Sequence, residues 1–342
     1  MLIVMRKAAA MLAMLLLSAT AQDLLTLGDE FMRLGNWPVA INYFEQALKQ
    51  NPLLGHGFYG KGLSLCQLGK FDEGISALSQ AVELEPRNVE YLYVAGVCHE
   101  WKGKDNWKQA EAYYLRALKL APGQAQLHHK LGSLYQHEGR CQDAIPEFQK
   151  ALALNPGYFI SYNNLGSCFL SLNRPQEAMR LFQQAIAHSS YPGEYHFYHH
   201  LGIAFLAAGR SEESKAAFVV ETALNPDFPE AHLTLGNIYF LERNFARAIE
   251  EYQEVLSIDP EKADGHFNLG QLYLTIGQAG LAKKHFEQYV RLKPEEGRGH
   301  YFLGLCYSKL GSQGKAWEEL NKSLELGYHP EPLRERMQEE KK

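Results

Sequence analysis

The chain has 342 residues, with 34 basic and 39 acidic side chains and a formal net charge of −5. That mild acidity, with no run of lysines or arginines longer than the terminal Lys341-Lys342, argues against nucleic acid, which needs a concentrated basic face. The five cysteines, Cys66, Cys98, Cys141, Cys168 and Cys306, are odd in number, widely spaced and without zinc-ligand spacing, so they read as small buried hydrophobes.

Residues 1–21 stand apart from the rest. Arg6-Lys7 precede an apolar run from Ala8 to Leu17, long enough for a signal-peptide core and too short to span a bilayer. Ala19-Thr20-Ala21 then offers small residues at the two positions a signal cleavage site needs, so the mature chain is expected to begin at Gln22 and to be exported, to a periplasm or outside the cell. The alternative is an uncleaved leader that tethers the chain to a membrane. Membrane contact is expected only in that case.

From Gln22 onward one pattern recurs. The stretch from Gln126 to Pro156 shows it: Leu127, Leu131, Leu134 and Tyr135 lie at helical spacing, Gly139 breaks the pattern, and Ala144, Ile145, Phe148, Ala151 and Leu152 resume it until Asn155-Pro156. This is a helix hairpin too small to bury its own apolar surface. A glycine marks the first helix of every copy, at Gly28, Gly62, Gly96, Gly132, Gly166, Gly202, Gly236, Gly270 and Gly304, spaced by 34 or 36 residues. Glycine inside a helix costs about 1 kcal/mol against alanine, so nine in register predict close approach of a neighbouring helix. A small residue follows in the second helix (Ala40, Gly74, Ala110, Ala144 and their equivalents), and four further on a large one (Phe44, Leu78, Tyr114, Phe148 and theirs) is expected to plug successive hairpins.

Nine units therefore fill residues 22–330, at about 21–54, 55–88, 89–124, 125–158, 159–194, 195–228, 229–262, 263–296 and 297–330. Two carry two extra residues. The first insertion, within Trp101 to Gln109, should lengthen the turn of the third hairpin; the second, within His188 to Glu194, should alter the angle between units five and six. Residues 331–342, with Leu333 and Met337 four apart among charges, read as a capping helix.

A 34-residue unit with Leu-Gly, aromatic, alanine and proline at these places resembles the tetratricopeptide repeat. The resemblance implies an all-α solenoid, a right-handed superhelix of helix hairpins, whose first helices line a concave groove. It implies a non-catalytic scaffold that takes an extended peptide or protein segment there. Carried over position by position, the groove candidates are Tyr59, Tyr93, Trp101, His129, Asn163 and His199, with Asn164 beside Asn163 to clamp a peptide backbone. Where relatives that hold carboxylate-ended chaperone tails want charges, this chain has Tyr59, Leu63, Tyr93 and His129, so that ligand is not expected. The alternative is a carbohydrate-handling scaffold of a polysaccharide secretion system, since flat aromatics serve sugars as well as peptides.

No phosphate loop, Gly-x-Ser-x-Gly or attached catalytic domain is present in the sequence, so no enzyme and no cofactor is expected. His128, His232, His266 and His300, each four residues before a repeat glycine, read as packing residues. His196, His199 and His200 can share a helix face and are the only metal candidates. With no third firm ligand or orienting shell evident, tight metal binding is not expected.

Overall fold

The computed structural model describes residues 19–188 and 195–330. The apolar leader up to residue 18, the second insertion at 189–194 and the capping segment 331–342 lie outside the described residues. The chain forms two compact units, one ending at Leu172 and one starting at Asn173.

In the first unit α1 (Ala21–Arg33) pairs with α2 (Trp37–Gln50), α3 (Gly55–Gln67) with α4 (Phe71–Leu84), α5 (Val89–Lys102) with α6 (Trp107–Leu120), and α7 (Ala125–His137) with α8 (Cys141–Leu154); α9 (Phe159–Ser171) follows. The second unit begins with α10 (Pro175–His188). It continues with the pairs α11 (Tyr195–Ala207) and α12 (Ser211–Leu224), α13 (Pro229–Leu241) and α14 (Phe245–Ile258), α15 (Ala263–Thr275) and α16 (Ala279–Leu292), and α17 (Gly297–Lys309) and α18 (Gln313–Glu325). Within each unit the helices of a hairpin pack on each other, and each second helix packs on the first helix of the hairpin that follows it. First helices also abut, α1 on α3, α3 on α5 and α7 on α9 in the first unit, and α13 on α15 and α15 on α17 in the second.

Most of the repeat glycines make room for the aromatic rings opposite them. A Cβ built on Gly28 would stand 2.6 Å from Cε1 of Phe44, one on Gly96 2.6 Å from Tyr114, one on Gly132 2.9 Å from Phe148 and one on Gly270 2.9 Å from Phe286. The expected approach of helix backbone to helix backbone holds at Gly62, where the opposing residue is Gly74 and its carbonyl oxygen would lie 2.8 Å from the added Cβ. In those other hairpins the space is filled by the large side chain itself, a correction to the sequence expectation. Phe44 also crowds Gly60 of the following hairpin. One ring therefore plugs both the hairpin that carries it and the next, and it is wholly buried.

Hairpin turns close through a residue in the left-handed region, usually glycine, as at Gly35 with φ 71° and Gly139 with φ 76°. Arg243 takes that place at φ 60°. The first insertion forms a short 3-10 turn, Lys104–Asn106, entered through Gly103 at φ 116°, so the third hairpin is indeed the one with a longer connection. Thr20 caps α1 in a reciprocal box: its Oγ1 accepts from the Asp23 N–H at 3.2 Å, and Asp23 Oδ2 accepts from the Thr20 N–H at 2.9 Å.

The histidines four residues before the glycine do more than fill space. Nε2 of His128 lies 3.0 Å from the carbonyl oxygen of Pro122, and Nδ1 lies 2.6 Å from Oε2 of Glu147. His232 repeats this with Pro226 and Glu251, and His300 with Pro294 and Glu319. Each ring thus ties the last turn of one hairpin to the second helix of the next. A carbonyl only accepts, so Nε2 carries its proton, and a carboxylate facing Nδ1 requires a second proton between the two. In the eighth copy His285 replaces the glutamate, with its Nδ1 3.1 Å from Nδ1 of His266.

Candidate functional site

The row of first helices places the groove candidates, but not all of them are free surface. Tyr59 is 7% exposed; its ring stacks on Tyr91 with centroids 5.0 Å apart, and its hydroxyl donates to Oε1 of Glu90 at 2.8 Å. Burial, and then that carboxylate, raises the phenol pKa. His129 is 6% exposed, with Nδ1 2.9 Å from Ser161 Oγ and its ring edge-on to Tyr158. Burial lowers its pKa to about 4, so the ring is neutral. The expectation that both line an open surface is corrected: α5 lies over Tyr59 and α9 over His129, and each polar atom is used within the stack.

Tyr93 is half-buried and accepts a hydrogen bond from Gln126 Nε2 at 2.8 Å. It opens onto a pocket of about 490 Å³ whose wall also includes Asn88, Glu90 and Gln124. Trp101 is 43% exposed. It sits near the far end of α5, about 12 Å along the helix from Tyr93 at 1.5 Å per residue. The two aromatics therefore do not form one contiguous patch with the buried Tyr59. Between them in the sequence, Glu100 accepts from the Tyr114 hydroxyl at 2.7 Å and has Lys130 at 4.0 Å.

A polar cluster forms where α7 meets α9. Asn164 Nδ2 donates to Ser133 Oγ at 3.3 Å, the Ser133 hydroxyl lies 3.3 Å from His129 Nε2, and Gln136 Nε2 donates to the backbone oxygen of Asn164 at 3.4 Å. Asn163, next to Asn164 in the chain, has a buried Oδ1 with no hydrogen-bond partner among the described residues. Buried amide oxygens are nearly always paired, so this one is an acceptor in want of a donor. The structure brings Asn164 and His129 together through Ser133, with Gln136 on the Asn164 backbone; Asn163 is the neighbour of Asn164 in the chain.

In the second unit His199 Nδ1 lies 3.1 Å from Glu221 Oε2, with Phe218 and Phe228 edge-on to the ring. His200 turns its Nδ1 to the His196 carbonyl at 2.7 Å and packs on Phe182, and burial lowers its pKa. His196 is exposed and lies against Tyr195. The three imidazoles go to three different partners, and among the described residues no group of three or more His, Cys, Asp or Glu side chains is placed to hold a metal ion. A smaller pocket of about 180 Å³ is lined by Asn237, Phe240, Tyr252, Asn268 and Gln271. There Asn237 Oδ1 accepts from the Tyr252 hydroxyl and from Asn268 Nδ2, both at 2.8 Å.

Sequence reasoning missed Glu221. It occupies the place held by Ala47, Ala81, Ala117, Ala151 and Ala185 in other repeats, so the signal was present as one acidic residue at an alanine position. Among the described residues no helix is long and apolar enough to cross a membrane.

Comparison with known families matches the tetratricopeptide repeat at residues 21–54, 59–125, 123–190 and 263–296, and the TPR repeat at 236–277. None of the curated proteins matches the sequence. Among solved structures, the chain is similar to PilF of Pseudomonas aeruginosa, with 22% identity over 67% of this chain and 100% of that one and a TM-score of 0.52. It is also similar to MamA of Desulfovibrio magneticus RS-1, at 23% identity over 49% of this chain and 94% of that one with a TM-score of 0.45. YrrB, described as a TPR protein with an unusual peptide-binding site, gives 19% identity over 53% and 92% with a TM-score of 0.43.

Proposed function

The chain belongs to the tetratricopeptide repeat family, whose members are generally protein-binding scaffolds, and on that premise we propose that it binds an extended peptide or protein segment on the first-helix face of its first unit. The observation that carries this is Asn163 Oδ1, a buried acceptor with no donor among the described residues, next in the chain to Asn164, whose amide and backbone meet the Ser133 hydroxyl and the Gln136 amide. A backbone N–H of an extended segment supplies such a donor, and amide side chains answer both the N–H and the C=O of a peptide. The pocket at Tyr93 then receives a side chain of the same segment, with the aromatic as its anchor. The reading is of a non-catalytic scaffold, in line with the family, whose members are typically non-catalytic.

The export of this scaffold after removal of residues 1–21 is part of the proposal. It is supported by Arg6-Lys7, the apolar run and Ala19-Thr20-Ala21. A cut after Ala21 removes the Thr20 cap of α1, a loss of about 1 kcal/mol at that helix end. Intact mass of protein from the native host tests it: a retained leader overturns this part and leaves the tether.

The binding reading is tested by a pull-down from the exported fraction with the wild type and with Asn163→Ala combined with Tyr93→Ala, both checked for equal helical content. Loss of at least about tenfold in affinity for the captured peptide, or about 1.4 kcal/mol, is expected. Undiminished capture by the folded double mutant overturns it.

A further inference from the structure

All five cysteines are buried free thiols, and four of them meet in pairs: Cys66 is hydrogen-bonded to Cys98, and Cys141 lies against Cys168. Cys141 is the first residue of α8, and Cys168 follows the repeat glycine of α9 by two positions. Their sulfurs are 2.6 Å apart, well inside a non-bonded sulfur contact and about half an ångström beyond a covalent S–S bond. The two helices that carry them are directly packed. Burial pushes the pKa of Cys306 up to about 12.

We propose that Cys141 and Cys168 are a disulfide site, and that the bond between them locks α9, with Asn163 and Asn164, onto the fourth hairpin. The oxidant is a disulfide of the RS–SR type, either a small molecule such as oxidised glutathione or a disulfide-carrying protein. Cys141 is the more reachable thiol, at 8% exposure against 0% for Cys168. Its thiolate attacks one sulfur of RS–SR, forming Cys141–S–SR and releasing RS⁻. The Cys168 thiolate then attacks the Cys141 sulfur, closing the S–S bond and releasing the second RS⁻. Both cysteine protons end on the two released thiolates; the cysteine pair is oxidised and RS–SR is reduced to two RSH. Because Cys168 is buried and its thiol pKa is raised, closure belongs to folding or to transient opening of α9, and the finished bond is shielded from reductants. The bond tethers residues 27 positions apart and so restricts the unfolded chain. It is independent of what the first-helix face binds.

The test is refolding of the full chain from denaturant in mixed oxidised and reduced glutathione, followed by alkylation, trypsin and mass spectrometry without reductant. Trypsin leaves Cys141 in peptide 141–150 and Cys168 in 151–180, since Arg174 precedes a proline. The expected result is these two peptides joined and lighter by two hydrogens, with their thiols reactive again only after dithiothreitol. In Cys141→Ser, Cys168 should return as a free alkylated thiol. Recovery of both wild-type peptides as alkylated singles from folded protein, or joined mainly to other cysteines, overturns the proposal.

Discussion

His199 Nδ1 stands 3.1 Å from Oε2 of Glu221, a carboxylate with no exposed surface whose Oε1 has no hydrogen-bond partner among the described residues. The pair occupies a place where five other repeats carry alanine, so nothing in the repeat packing demands an acid there. Taking a carboxylate out of water costs several kcal/mol, and a single imidazole with one oxygen left over repays it poorly.

Glu221→Met keeps the side chain's approximate volume and removes the buried acid. It should raise stability by about 1–3 kcal/mol in urea unfolding at neutral pH. A fall of that size would show instead that the pair with His199 is a net stabiliser.

The histidine clamps predict a pH dependence with a definite sign. His232 has its pKa raised above the ordinary value, first by its hydrogen bond to Glu251 and further by the Pro226 carbonyl, against the opposing effect of burial. A raised folded-state pKa contributes stability that is complete below the unfolded value of about 6.5 and is lost as pH rises through the folded value. NMR titration of His232 should give a midpoint above 6.5, and Glu251→Gln should lower it. An unmoved midpoint in that variant would remove Glu251 as the cause.

The eighth repeat supplies the converse experiment. His285 faces His266, and its pKa is lowered to about 4, mainly by burial and then by His266. It therefore donates as a neutral ring where three other repeats present a carboxylate. His285→Glu should rebuild the clamp and stabilise the fold by about 1 kcal/mol at pH 6, the worth of one charge-assisted hydrogen bond. The gain should be larger at pH 6 than at pH 8, because a carboxylate facing Nδ1 needs a second proton between the two. Melting curves at the two pH values decide it, and an equal effect at both would contradict a shared proton.

Arg243 holds a left-handed backbone at φ 60° where the corresponding turns use Gly35, Gly139 or Gly277. A side chain there costs roughly 1 kcal/mol. Arg243→Gly should recover about that much, less a few tenths for the added freedom of glycine in the unfolded chain. Denaturant midpoints measure it, and a lower midpoint would mean that the arginine makes a contact worth more than the strain.

The residues themselves determined the period, the hairpins and the positions that pack them. Nine glycines in register with nine small residues and nine large ones repeat one local problem, and its answer needs only neighbours of the same kind. The lengthened third turn was legible for the same reason, as a departure from a fixed count. What tertiary structure decided is which unlike side chains meet across successive hairpins. Tyr59 was read as an exposed aromatic, yet Glu90 and Tyr91 of the following hairpin cover it. His129 is closed over by Ser161 and Tyr158, and Cys141 meets Cys168. Each of these partners lies about one repeat further along, and the period fixes that distance only to within a helical turn. Whether a groove-facing position is open or capped depends on the size and polarity of one residue on the next helix, which varies from copy to copy.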